Sequence, residues 1–191
     1  MIQKLPIESV VELYYGGPLK GSTDSSSGLR IVRPADLDPS RGADAHYVTE
    51  YNDLAHMRRL QEGDIVVALA GPIGRSMVVE GDLVGAVLGR WCAAICARPD
   101  QTAVTNNWLH AWTQSSDFKQ QVEVWTMPAT MPRLPEPALR SFLVPVPDED
   151  GRIHLESLVA AFDSAIDDLE RTLRLTRDLR TLEIDLLVSN E

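Results

Sequence analysis

The stretch from Ile153 to Leu187, IHLESLVAAFDSAIDDLERTLRLTRDLRTLEIDLL, decides the architecture of this chain. Leu155, Phe162, Leu169 and Thr176 recur at intervals of seven, as do Leu158, Ala165, Thr172, Leu179 and Leu186. Val159, Ile166, Leu173 and Leu187 widen the apolar stripe, while Asp163, Asp167, Glu170, Arg171, Arg174, Arg177 and Asp178 take the opposite face. The pattern predicts an amphipathic helix of roughly 35 residues and about 50 Å, set to form a coiled coil. A domain of this size cannot cover a stripe that long, so part of it is expected to meet another helix or chain. The alternative is a helix folded back onto its own domain, more readily over its first half than its second.

Upstream, Pro128, Pro132, Pro135, Pro137, Pro145 and Pro147 exclude helix from most of the segment before it. One helical turn from Glu136 to Phe142 is tolerated, because Pro137 stands at its start. Gln61-Glu62-Gly63-Asp64 is a turn that opens into Ile65 to Ala70, a β-branched run short enough to be a buried strand. Gly71-Pro72-Ile73-Gly74 then turns the chain into Ser76 to Val79, the expected antiparallel neighbour. Leu29 to Val32 reads as a strand followed by a turn over Asp36 to Pro39. Leu83 to Val87 and Trp91 to Ala97 read as further strands, the second open to a helical reading as well. Leu5 to Tyr15 suits either a short helix or an extended segment and stops at Gly16-Gly17-Pro18. Residues 19 to 28 are too polar to pack and are expected to form an exposed loop. Thr105-Asn106-Asn107 is a cap for a helix from Trp108 to Gln120, with Trp108, Leu109, Trp112 and Phe118 on its buried side. The fold class is α+β: a mixed-sheet globular domain over residues 1–150 and one long helix over 151–191.

With 191 residues, 44% of them hydrophobic, the chain can bury one sizeable core and carry an appendage. The net charge of -10 divides into -4 over residues 151–191 and -6 before them, so neither part is basic. For any contact with nucleic acid, the local clustering of Lys and Arg then matters more than the total. Cys92 and Cys96, the only two cysteines, stand in an apolar run and read as reduced, buried thiols of a cytoplasmic protein. The opening residues Met1 to Pro6 lack a signal-peptide pattern, and no apolar run is long enough to span a membrane.

Catalysis finds no footing in these residues. A phosphate-binding Gly-rich loop ending in Lys is absent, as are the cofactor loop and the acidic-or-Asn, double-proline motif of an adenine methyltransferase. His46, His56, His110 and His154 are scattered, and Cys92 and Cys96 have no second pair, so neither a metal site nor a cofactor is expected. Ser115 and Ser116 follow His110 without a nucleophile elbow or an orienting acid.

The order of motifs resembles a target-recognition domain of a type I restriction-modification specificity subunit. Ile7 to Gly17 matches an early Leu-x-x-x-Val/Ile segment ending in Gly, and Arg30 to Leu37 matches a short strand followed by Asp-Leu. Leu60 to Val79 matches the most specific element, Leu-x-x-Gly-Asp-Ile and an apolar run, then Gly-x-x-Gly-Arg and a strand. Pro128 to Leu134 and Leu143 to Pro147 follow the late Gly-Ser-Thr and Pro-rich strand motifs, and the long helix comes after them. Pro128 departs from the usual Gly, and Asp148-Glu149-Asp150-Gly151 is an acidic turn where a Gln-rich helix start is customary.

Specificity subunits normally carry two recognition domains and two helices, so the resemblance is to a half-subunit that would restore symmetry as a homodimer. It implies a non-catalytic protein that binds double-stranded DNA and directs a DNA adenine methyltransferase subunit, with a restriction subunit as an open further partner. Phosphate-contact candidates under this resemblance are Lys20, Arg30, Arg33, Arg58, Arg59, Arg75 and Lys119, and Asn106, Asn107 and Gln114 are candidates for reading base edges. Dimer or partner contacts fall to Leu155, Leu158, Phe162, Ile166, Leu169, Leu173, Leu179 and Leu186. The competing expectation, prompted by the acidity, is a protein-interaction adaptor of the same fold that does not itself bind DNA.

Overall fold

The computed structural model describes residues 2–20, 22, 28–38, 44–48, 57–100 and 104–188, with side chains in the last helix described to 185. Most of the loop expected over 19–28, together with Pro39 and the Leu186 side chain, lies outside the described residues. The chain divides into two compact units, Met1–Glu149 and Asp150–Glu191.

In the first unit, strand β1 (Gln3–Pro6) leads through a single helical turn, α1 (Ile7–Val10), into β2 (Val11–Tyr15), so the opening segment uses both conformations its sequence allows. After β3 (Leu29–Val32), a 3-10 turn over Pro34–Leu37 and β4 (His46–Val48) come β5 (Ile65–Ala68) and β6 (Ser76–Val78). Strands β7 (Val87–Leu88) and β8 (Cys92–Ala97) precede helices α2 (Asn106–Gln114), α3 (Ser116–Trp125) and α4 (Glu136–Arg140), then β9 (Leu143–Val146). The main sheet is antiparallel in the order β2-β8-β5-β6, with Ile65 opposite both Ile95 and Val78. A smaller mixed sheet, β4-β3-β7, pairs β3 with β7 in parallel, and β1 pairs with β9.

Every residue of β5 is buried, because both faces of the main sheet are covered. Val66 and Ala68, with Cys92, Ala94 and Cys96 of β8, face a layer that includes Val32, Leu37, Leu60, Leu83 and Leu88. Successive side chains of a strand alternate in direction, so Ile65 and Val67 point the other way, to the side where α2 packs on β5, β6 and β8. There Phe118 stands edge-on between Trp112, 5.0 Å away, and Phe142, 5.6 Å away. The indole N–H of Trp108 donates to Pro145 O at 2.8 Å and that of Trp112 to Asp117 at 3.0 Å, which removes the cost of burying these donors. Both cysteines are buried free thiols, and burial pushes their pKa values well above the ordinary range.

Three expectations need correction. The helix expected from Trp108 to Gln120 is two helices: Ser115 is extended and its hydroxyl accepts from Phe118 N at 3.2 Å, capping α3 as Thr105 caps α2. Leu83 to Val87 is not one strand. Gly81–Leu83 forms a 3-10 turn and Gly85 has a φ of +84°, leaving only Val87–Leu88 extended. The acidic turn expected at 148–151 is instead the start of α5 (Glu149–Val188), with Asp148 just ahead of it, and Glu149 and Asp150 meet the positive end of the helix dipole. At 40 residues, α5 is about 60 Å long. No helix among the described residues is long and apolar enough to cross a membrane.

Two contacts hold the layers in register. Where β2 ends, Gly16 N donates to Cys92 O at 2.9 Å, and Gly89 N donates to Val32 O at 2.8 Å where β3 ends. A Cβ on Gly16 would stand 1.9 Å from Gly89 O, so the backbones meet only because Gly16 lacks a side chain. At the start of β5, the buried Asp64 carboxylate accepts from Arg58 and, at 2.8 Å, from Gln61 N. Burial raises its pKa, but the hydrogen bonds from Arg58, Gln61 and Cys96 and the Arg58 charge outweigh burial and leave it lowered.

Gly16→Ala is expected to destabilise the globular unit by at least the roughly 1–3 kcal/mol of an overpacked site, measured as a fall in the urea midpoint. Because the folded pKa of Asp64 is depressed, its ion pair contributes fully above the ordinary carboxylate value near 4 and is lost as pH falls through the lower folded value. Asp64→Asn should therefore cost roughly 1.5–3 kcal/mol at pH 7, the range for hydrogen bonds to charged groups, and flatten the acid limb of a stability profile below about pH 4. Asp117, also lowered because bonds from Lys4, Trp112 and Gln121 outweigh burial, leaves part of that limb in place.

Candidate nucleic-acid interface

Beyond Ala68 the chain must reverse to form β6. The turn closes through Gly74 N to Ala68 O and Ala68 N to Arg75 O, both 2.9 Å, and carries Arg75 at its exit. Gly74 lies against Val122 of α3, so this turn abuts the α2–α3 corner. Between them is a cleft of about 520 Å³ lined by Arg75, Ser76, Thr113, Gln114, Lys119 and one carboxylate, Glu123, along with Leu37 and Val122.

A short relay of hydrogen bonds orders its floor. The Gln114 side-chain amide donates to Ser76 Oγ at 2.8 Å, and Ser76 and Thr113 share a hydroxyl contact of 2.7 Å. Thr113 in turn donates to His110 O at 2.7 Å. That leaves the Gln114 carbonyl oxygen and second amide hydrogen without a partner among the described residues. Arg75, half-exposed, is held by Asp38 at 2.6 Å, while Lys119 is exposed with no carboxylate partner among the described residues.

Arg75, from the β5–β6 turn, thus shares one cleft with Gln114 and Lys119 of the α2–α3 corner. Arg30 and Arg33 lie beside it, both on Asp36 of the 3-10 turn that supplies Leu37. Arg33 also donates to Asp44 O at 2.8 Å, and Arg30 stands 5.9 Å from the Tyr47 ring centroid with its Nε and Nη1 buried and unpartnered among the described residues. Other nominated residues are elsewhere. Arg58 is at the opposite end of the sheet, between Asp64 and the Tyr14 ring at 4.3 Å, and neighbouring Arg59 has a buried Nη1 that is likewise unpartnered there. Asn106 Oδ1 accepts from Ala97 N at 2.7 Å where β8 ends, and Asn107, next in α2, is exposed. Lys20 is exposed beyond β2.

Two more cations at the cleft end of the sheet, Arg90 and Arg133, escape the sequence reading. They lie 4.6 and 5.4 Å from the Trp91 ring centroid. The available signal was Gly89-Arg90-Trp91, a basic-aromatic pair in a tight turn between strands; Arg133, within the Pro-rich stretch, offers none.

No known family model and no curated protein matches the chain. Solved structures do. The S subunit of a type I restriction-modification system from M. genitalium matches with a TM-score of 0.66 at 12% identity, over 94% of this chain and 44% of that one. A chain from a structural study of complex assembly and conformational transition in the type I R-M system matches with a TM-score of 0.66 at 16% identity, over 90% and 40%. The HsdS subunit from Thermoanaerobacter tengcongensis matches with a TM-score of 0.63 at 17% identity, over 90% and 39%. This chain therefore has the fold seen in type I restriction-modification S subunits and spans about two-fifths of the length of the solved chains it matches.

Proposed function

We propose that the globular unit reads a DNA duplex and that α5 joins this reader to a second copy of the chain and to a DNA adenine methyltransferase subunit. The chain would then direct a partner's chemistry and carry none of its own, with a restriction subunit as a further member of the complex. The observation that carries this reading is the Gln114 carboxamide, held by Ser76 in the cleft that Arg75 and Lys119 also line. An adenine offers, in the major groove, an N7 acceptor beside an N6 donor. The unused N–H and C=O of Gln114 match that pair, and fixing the side chain beforehand lowers the entropy lost on binding. Arg75 and Lys119 would take the flanking phosphates and set the register, with Arg33 and Lys20 further out.

Fluorescence anisotropy with labelled duplexes tests the reading. The chain, alone or with the methyltransferase subunit, should bind with an affinity that falls steeply with salt. Lys119→Ala should weaken all duplexes alike, and Gln114→Ala should cost roughly 1–3 kcal/mol of discrimination at an adenine position. Absence of binding at low salt, with and without the partner, would instead support the adaptor reading, which the -6 charge of residues 1–150 favours.

For α5 the support is its exposed stripe. Phe162, Leu169, Leu173 and Leu179 are 61%, 70%, 50% and 64% exposed, more apolar surface than a helix leaves in water without a partner. Leu169→Asp should shift the chain toward monomer in light scattering at micromolar concentration while leaving the melting of the globular unit unchanged.

A further inference from the structure

Trp91 has a φ of +70°, the left-handed region, and no other described non-Gly residue is placed there. A bulky side chain in that region is an outlier that persists only where its surroundings over-determine it. Here they do. Trp91 O accepts from Leu69 N at 2.7 Å, and the next residue, Cys92, bonds on both sides, its N–H to Gly89 O at 3.2 Å and its O to Gly16 N at 2.9 Å. Glycine would meet the same backbone demand without strain, so the geometry fits a position where the indole itself has a use.

That use is visible in its neighbours. Arg90 and Arg133 both lie over the Trp91 ring, Arg133 brought there by the bridge between its backbone and that of Ala70. Both are exposed, and neither has a carboxylate partner among the described residues, whereas Arg33, Arg58 and Arg75 each have one. A guanidinium resting on an aromatic face is oriented through that face and keeps its in-plane N–H donors for an anion. Two such groups on one ring repel each other, and a shared or bridging anion relieves the repulsion.

We infer that Arg90, Trp91 and Arg133 form a clamp for backbone phosphates of a DNA duplex, with Trp91 as the platform that fixes both guanidinium groups. The inference rests on the DNA-reading proposal and adds a contact independent of base sequence. Because Leu69 and Ala70 lead directly into the turn that carries Arg75, the clamp and the cleft occupy the same end of the main sheet.

The test is anisotropy titration of the full chain against a random and a preferred duplex over a salt series. Arg90→Gln and Arg133→Gln, at exposed positions, should each lower the slope of log affinity against log salt by about 0.9 and weaken both duplexes by the same factor, leaving their affinity ratio unchanged. Arg90→Lys keeps the charge but not the stacked fork, so it should preserve the slope and lose affinity several-fold. Wild-type slopes in both Gln variants would overturn the clamp while leaving the cleft as reader, and a loss of methyltransferase binding instead would assign the patch to a protein partner. If the wild-type chain binds neither duplex at low salt, with or without that partner, the clamp falls together with the DNA reading.

Discussion

Burial of β5 on both faces is the constraint from which the rest of the globular unit follows. A strand with no exposed residue needs a layer on each side, and here one is α2 with the Trp112–Phe118–Phe142 stack and the other the small sheet with Leu37, Leu60 and Leu83. It also needs its ends handled, because the peptide groups beyond the ladder remain buried and must find partners. At the first end, Asp64 gathers Arg58 and Gln61 N. At the second, Leu69 donates to Trp91 O and accepts from Leu134 N at 2.8 Å, which draws the start of β8 and the Pro-rich segment to one place. The cationic end of the sheet is thus a by-product of satisfying the backbone at the end of its most buried strand.

An acidic chain presents a cationic end of its sheet without contradiction. At physiological ionic strength, exposed charges more than about 8 Å apart are largely screened from one another, so net charge says little about a particular face. What counts is where the acids are spent. Asp36 and Asp38 fix Arg30, Arg33 and Arg75, Asp64 fixes Arg58, and Asp117 fixes Lys4 at 2.5 Å. Carboxylates committed to holding arginines in place subtract from the total but leave those guanidinium groups preorganised. The Trp91 ring does the same for Arg90 and Arg133 without cancelling their charge.

Local signals in the sequence located several of the local elements. The β-branched run at Ile65, the turn at Gly71 to Gly74 and the cap at Thr105 each carry their own chemistry, and each is found where its residues put it. The second cap, Ser115, was equally local but sits inside an apolar periodicity that runs through it, so period outweighed cap. Leu83 to Val87 failed for a related reason: composition favours a strand, whereas Gly81 and Gly85 let the backbone leave that conformation. The candidate site was legible only in pieces. Arg75, Gln114 and Lys119 were each visible as exposed polar residues, but their convergence depends on how α2 and α3 pack against the β5–β6 turn, and no periodicity encodes that. Arg133 is the extreme case, placed by isolated backbone bridges to Ala70 and Met127 from a segment with no regular structure.

Helix α5 shows what periodicity can specify by itself. Thr172 and Thr176 fall on the apolar lines, where an unpaired hydroxyl would be costly to bury, yet each donates to the carbonyl four residues earlier, Asp168 O and Thr172 O, at 2.8 Å. Both can therefore occupy a dry seam. Toward the C-terminus the apolar surface spreads. Leu175 and Leu182, seven residues apart and both 58% exposed, form a line beside the one through Thr172 and Leu179, on the side away from Leu169 and Thr176. The line of Ile166 and Leu173 flanks the stripe on its other edge. A two-stranded seam covers two such lines with the edges of their neighbours, and here there are four. The second half of the helix thus presents more apolar surface than one paired helix would cover, which favours an assembly in which the same segment packs against a helix of like kind and also against a different partner.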